Sequence, residues 1–318
     1  MQIEPIFLTP VFQERIWGGT KLADEFGYSI PSAHTGECWA VSAHPNGQTV
    51  VKNGPFQGMT LGQLWEERHD LFGRFPADRF PLLTKILDAN ADLSVQVHPD
   101  DAYAQEHENG EFGKTECWYI IDCKQGAQLV YGHHAKTKEE LKEMMENGQW
   151  GKLLRKIPIK PGDFFYVPSG TIHALCEGTL VLETQQSSDT TYRVYDYDRV
   201  DSNGKKRELH LDKALDVITV PHRDADIHES VAKVDDAIIT TFIECDYFGV
   251  QKWEINGSAN LEQTKHFLIV SILDGKGQLI SEGRAYDLTK GDHFILPYQF
   301  GRFSVKGTLK AIASWPRP

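Results

Sequence analysis

The chain is poor in cysteine and has no pairing pattern among the few it holds. Five occur in 318 residues, at Cys38, Cys117, Cys123, Cys176 and Cys245, an odd number without a C-x-x-C spacing. A disulfide scaffold is therefore excluded, and free thiols in a reducing cytoplasm are expected. Long hydrophobic runs are also missing: no window approaches the ~18 unbroken apolar residues of a membrane helix. The opening MQIEPIFLTP lacks the basic and apolar blocks of a signal peptide, which again points to the cytoplasm. Positive charge is scarce. The formal net charge is −12, and the one basic run, GKKR at Gly204–Arg207, sits in a turn-like stretch. An extended nucleic-acid surface is excluded, because it needs clustered Lys and Arg. A small anionic metabolite in a locally basic pocket is not, because charge acts locally within a screening length of ~8–10 Å.

What is present suits a globular protein of two domains. The chain is 40% hydrophobic and 11% aromatic, enough for a sizeable core. Most segments are short alternating runs between Gly, Pro, Asp and Asn: CWYIIDC, GDFFYVP, TLVLETQ, YRVYDYD, HFLIVSIL and GDHFILP. Such runs predict a mainly β sandwich or barrel. Two insertions read as helices. TLGQLWEERHDLFG opens on Thr60 as N-cap, and TKEELKEMMENG has the capping-box spacing Thr137–Glu140 and ends at Gly148. KPGDFFYVPSGTIHAL (160–175) echoes TKGDHFILPYQFGRFS (289–304), with Pro168 and Pro297 equivalent. The echo predicts one β unit per domain. The boundary is expected in the acidic, aromatic-poor stretch 221–237, giving domains 1–230 and 231–318.

The stretch LSVQVHPDD (93–101) alternates like a strand, with Ser94, Gln96 and His98 on one face and Leu93, Val95 and Val97 on the other. Residues i and i+2 lie about 6.5–7 Å apart along a strand, so Gln96 and His98 can converge on one point. Taken alone the two also describe a structural or solvated pair. In GKTECWYI, Lys114, Glu116 and Trp118 share a face. A Glu buried there would need a cation or a donor; an outward-facing Glu116 is the alternative. In GDFFYVPSGTIHAL, Pro168 and Gly170 force a turn that fixes where His173 begins the returning strand. Gln96, His98, Glu116 and His173 together form a mixed N/O set suited to a divalent metal.

The Gly162–Pro168–Gly170–His173 pattern resembles the second motif of the cupin superfamily, with Glu177 where cupins often carry Asn. FPLLTKILDANADLSVQVHPDD, GKTECWYI, PSGTIHAL and SSDTTYRVYDYDR, with the early ERIWGG, resemble the type I mannose-6-phosphate isomerases in their short bacterial form. The resemblance runs from about residue 10 to the C-terminus. It implies two jelly-roll, cupin-like barrels with helical insertions in the N-terminal half. It also implies one zinc ion per chain on Gln96, His98, Glu116 and His173, with Arg193 as catalytic arginine and Lys114 and Glu183 as candidates for proton transfer. The implied partner is a small phosphorylated sugar. Because the chain has no G-x-x-x-x-G-K loop, scattered side chains must hold the phosphate; Arg15, Ser94 and Lys114 are candidates.

Each role has a plainer counterpart. Arg193 could pair with Asp196 or Asp198, and Glu183 could be a solvent-facing strand residue. In the second copy Arg302 stands where the first has His173, so no metal is expected there. His133 and His134 are expected at the surface. Two other functions fit the same motifs: a bicupin oxygenase, which usually needs more His ligands, and a non-catalytic sugar-phosphate binder.

Overall fold

The strand Thr179–Gln186 lies at the centre of the N-terminal half, and all of it is buried. It pairs antiparallel with Leu82–Ala89 on one side and Glu116–Cys123 on the other. A computed structural model describes residues 3–200 and 204–318 and places these strands in a six-stranded sheet. The order is Phe164–Val167, Glu116–Cys123, Thr179–Gln186, Leu82–Ala89, Thr35–Val41 and Val11–Gly19.

Side chains alternate across this sheet, and the two faces bury different things. Cys38, Ile86, Cys117, Leu180 and Leu182 pack outward into a core shared with Phe242, Phe248, Phe267 and Ile312 of the C-terminal half. Leu87, Trp118, Ile120 and Val181 pack inward against Leu129, Tyr131 and Leu175. Those last three belong to or adjoin a five-stranded sheet: Leu154–Pro158, Gln128–His133, His173–Leu175, Val95–Val97 and Tyr192–Tyr195. The outer face of that second sheet carries Val95, Val97, Ala174, Val194 and helix residues Leu141 and Ala214. Two facing sheets thus enclose an inner space, and the C-terminal half backs the larger one.

The C-terminal sheet is built mainly from strands between Ser230 and Pro316, with Phe248–Gln263, Gly301–Pro316 and Leu268–Ser281 at its centre. It also recruits the start of the chain. Ile6–Thr9 pairs with His293–Leu296 and carries Val50–Val51 on its other side. The two halves therefore interlock through one sheet. The expectation of barrels is narrowed: the fold is mainly β, and among the described residues no sheet closes on itself.

Both expected helices are present. Leu61–Glu67 has a full capping box between Thr60 and Gln63, and the helical pattern continues as a 3-10 turn, His69–Phe72. Lys138–Glu146 is capped by Thr137, but the Glu140 carboxylate accepts from Lys136 instead of Thr137. Among the described residues no helix is long and apolar enough to cross a membrane. All five cysteines are free thiols.

Candidate active site

Two facing sheets bring the four expected ligands together. Gln96 sits in Val95–Val97, His98 one residue beyond it, and His173 opposite Gln96 on the neighbouring strand. Glu116 comes across from the six-stranded sheet. His173 Nε2 lies 3.1 Å from His98 Nε2 and 3.3 Å from Glu116 Oε1, and His98 Nε2 lies 3.4 Å from Glu116 Oε2. The Gln96 amide is 3.3 Å from His173 Nε2. Leu93 departs from the expected alternation: it joins the inner cluster beside Trp118, because the strand begins only at Val95.

These residues fit a divalent cation. Each imidazole donates its Nδ1–H to a backbone carbonyl, His98 to Thr190 at 2.9 Å and His173 to Thr171 at 2.8 Å. That fixes the tautomer and leaves both Nε2 lone pairs aimed at one place. Burial, reinforced by Lys114, pushes the His98 pKa down to about 3, and burial also lowers that of His173. Both rings are thus neutral and can act as ligands. Both Glu116 oxygens are buried and make no aligned hydrogen bond; Lys114 comes within 3.1 Å of Oε2, while Oε1 faces only the unprotonated Nε2 of His173. Two imidazole lone pairs and a carboxylate crowded together repel unless a further cation sits among them. Among the described residues this is the one group of His, Cys, Asp or Glu so placed, its ligand atoms within 4.8 Å.

Beside the triad opens a cleft of about 320 Å³, lined among others by Gln96, Lys114, Glu183, Arg193 and Ser94. Lys114 Nζ is 3.1 Å from Glu116 Oε2 and 3.2 Å from His98 Nε2. Burial works against its charge, but Glu116 and Glu183 outweigh that and raise its pKa. Glu183 is not the solvent-facing strand residue of the plainer reading: it is 3% exposed. Burial first, and the charge of Glu116 second, raise its pKa against the opposing pull of Lys114 and Lys85. Trp118 Nε1 donates to Glu183 Oε2 at 2.9 Å. Arg193 forms no ion pair with Asp196 or Asp198 among the described residues. Asp196 is held by Arg199 and Arg207, and Asp198 by Lys206.

Sequence reasoning missed Lys85 and Glu37. Strand register sets Trp39 opposite Lys85, Lys85 opposite Glu183, and Glu183 opposite Trp118, so one row crosses four strands on the inner face. Lys85 Nζ lies 3.6 Å from Glu183 and 3.9 Å from Glu37. Burial opposes the charge of Glu37, but Lys85 and Arg15 hold its pKa below the usual value. A lysine inside the apolar run FPLLTKILDA was the available signal, since a buried lysine needs a carboxylate. His133 is buried, contrary to expectation, with Nε2 on the Thr219 carbonyl at 2.9 Å; His134 is exposed as expected. Arg302 points to solvent, its side chain 87% exposed. A larger cleft, about 590 Å³, lies near Arg68, Arg74 and Tyr298 and holds none of the triad.

A buried His–Glu–His triad between β-sheets, beside a charged cleft, defines a β protein with a candidate metal site. Residues 238–316 match the family described as mannose-6-phosphate isomerase, cupin domain, and residues 6–121 match phosphomannose isomerase type I, catalytic domain. The chain is 59% identical over 317 residues, 99% of both chains, to a Bacillus subtilis (strain 168) protein named mannose-6-phosphate isomerase ManA. It is 53% identical over 311 residues, 98% of both chains, to the mannose-6-phosphate isomerase of Streptococcus mutans. A crystal structure of the mannose 6-phosphate isomerase from Bacillus subtilis superposes with a TM-score of 0.97 at 60% identity, covering 98% of this chain and 99% of that one. The chain belongs to the type I mannose-6-phosphate isomerase family.

Proposed function

We propose that this chain interconverts mannose 6-phosphate and fructose 6-phosphate, moving a proton between neighbouring carbons through an enediol. The observation that carries this is the placement of a buried His98–Glu116–His173 triad, its imidazoles neutral, directly beside a cleft lined by the raised-pKa carboxyl of Glu183. Gln96, His98, Glu116 and His173 would hold one zinc ion per chain, which when bound supplies a Lewis acid for the sugar carbonyl and hydroxyl.

The chain's own groups do the rest. Glu183 takes the proton from the carbon beside the carbonyl and returns it to the neighbouring carbon. Burial and the charge of Glu116 raise the pKa of Glu183, the direction a proton shuttle requires. The Trp118 indole fixes its orientation. Lys114 stays an ammonium beside Glu116 and so adds positive charge to the cleft without serving as base. Arg193, always charged, stabilises negative charge developing on the sugar oxygens. Buried walls of Trp17, Leu87, Trp118 and Leu175 limit the water that can reach the intermediate.

We further read residues 1–230 as a jelly roll of the cupin type that carries the site, and 231–318 as a smaller cupin-like companion without ligands. The substrate is a small sugar phosphate, and the place of work is the cytoplasm, in keeping with the free thiols. A coupled assay with mannose 6-phosphate tests the reaction. Conversion that stops on chelation and returns with added zinc is expected. Sugar phosphate binding without turnover by metal-loaded protein would refute it.

A further inference from the structure

Two arginines in the cleft each keep one end of the guanidinium uncommitted. Arg193 gives Nε to Ser94 Oγ at 3.3 Å and Nη1 to the Glu208 carbonyl at 2.8 Å. Arg207 gives Nε and Nη2 to the Asp196 carboxylate at 2.8 and 2.5 Å. Among the described residues, Nη2 of Arg193 and Nη1 of Arg207 therefore remain for a ligand, and both residues line the cleft.

The other cations of the cleft are already matched. Arg15 places Nε and Nη2 on Glu37 at 2.9 and 3.1 Å, and Nη1 on the Glu14 carbonyl at 3.1 Å. Lys85 lies between Glu37 and Glu183, and Lys114 reaches Glu116. Around Asp196 the balance is different. Arg199 also binds that carboxylate, at 2.6 Å, so Arg193, Arg199 and Arg207 gather where Asp196 and Glu208 are the acidic neighbours. The local charge is positive. Asp196 is buried, so the arrangement is fixed before any ligand arrives.

Position divides the two free ends. Arg193 stands opposite Gln96 in the sheet, next to the ligand set, which suits it to the reacting oxygens. Arg207 enters from the segment outside the sheets and has no such neighbour. We propose that Arg207, oriented by Asp196 and supported by the charge of Arg199, receives the phosphate of the substrate and sets the preference for a phosphorylated over a free hexose. A guanidinium already held on one edge presents the other in plane to a phosphate oxygen, with little rotamer freedom left to lose. The inference rests on the isomerase reading and deepens it.

The test uses full-length, zinc-loaded protein with two probes: mannose 6-phosphate turnover, and direct calorimetric binding of inorganic phosphate. Arg207→Leu raises KM for mannose 6-phosphate by about 10- to 100-fold, the span of one charged hydrogen bond, with a smaller change in kcat. It weakens phosphate binding by a similar factor. The mannose 6-phosphate to mannose preference falls with it. Because Arg207→Leu leaves a buried carboxylate short of a partner, Arg207→Leu/Asp196→Asn is made alongside it and shows the same KM effect. Asp196→Asn alone, which loosens the hold on Arg207 but keeps its charge, weakens phosphate binding less than Arg207→Leu does, whereas equal losses in the two variants would mark a merely structural pair and overturn the proposal. An unchanged KM and phosphate affinity in folded Arg207→Leu overturns the proposal, as does a wild type that isomerises but binds no phosphate. Arg207-dependent phosphate binding without turnover would instead overturn the isomerase reading and leave the anion site standing.

Discussion

Lys85 and Glu183 stand directly opposite one another on neighbouring antiparallel strands, Nζ 3.6 Å from Oε1, each about 4% exposed. A charge pair this buried needs polar support around it. Trp118 donates to Glu183, Glu37 faces Lys85 from the far side, and the Lys85 ammonium lies 5.0 Å over the Trp39 ring. Removing the cation leaves Glu183 buried and bare. Lys85→Met therefore destabilises the fold by about 3–5 kcal/mol in urea denaturation. Adding Glu183→Gln restores part of that loss, because no orphan charge remains on that side. Additive losses in the double variant would show that the two do not interact.

Glu183→Gln keeps the shape and the Trp118 contact but removes the proposed proton carrier. Turnover falls by about 10²–10⁴-fold, the usual worth of a positioned acid–base group, while metal content is retained. Retained turnover would move proton transfer to another group in the cleft.

Arg193→Ala lowers kcat by about 10²–10³-fold, as for a lost donor to a developing oxyanion, and leaves the metal in place. Loss of metal together with rate would make its role structural, through the sheet pairing with Gln96.

His293 gives a pH signature remote from the metal set. It is fully buried between the Tyr28 hydroxyl, 2.7 Å from Nε2, and the Ser271 hydroxyl, 2.8 Å from Nδ1, and burial pushes its pKa down to about 3. The folded state therefore holds His293 neutral, whereas an unfolded histidine titrates near 6.5. Its stabilising effect is complete above pH ~6.5 and declines as pH falls toward ~3, by up to about 1.4 kcal/mol per pH unit. Urea titrations at pH 7 and pH 5 should show a smaller pH dependence in His293→Gln than in the wild type. Equal slopes would contradict the assignment.

The meeting of the four proposed ligands was legible because its members sit in short strands beside turn residues that fix direction: Gln96 and His98 two apart, and His173 just past Pro168 and Gly170. Glu183 and Arg193 came from resemblance; burial then separated Glu183 from its plainer reading, and the pairing of Asp196 and Asp198 with other cations did so for Arg193. Lys85 was not legible. Its role follows from register with Glu183, which the alternation of either strand alone does not give. The joining of Ile6–Thr9 to His293–Leu296 was hidden for the same reason, since a four-residue strand does not name its partner. His133 was misread as surface because the strand Gln128–His133 runs to that residue, where Thr219 supplies an acceptor.

The central claim is that Gln96, His98, Glu116 and His173 grip one divalent ion on which turnover depends. Metal analysis of the wild type, His98→Ala and His173→Ala, paired with the isomerase assay on the same samples, tests it most directly. A single zinc ion per wild-type chain, with metal and turnover lost together in both variants, is the predicted result. Variants that keep both the ion and full turnover would contradict it.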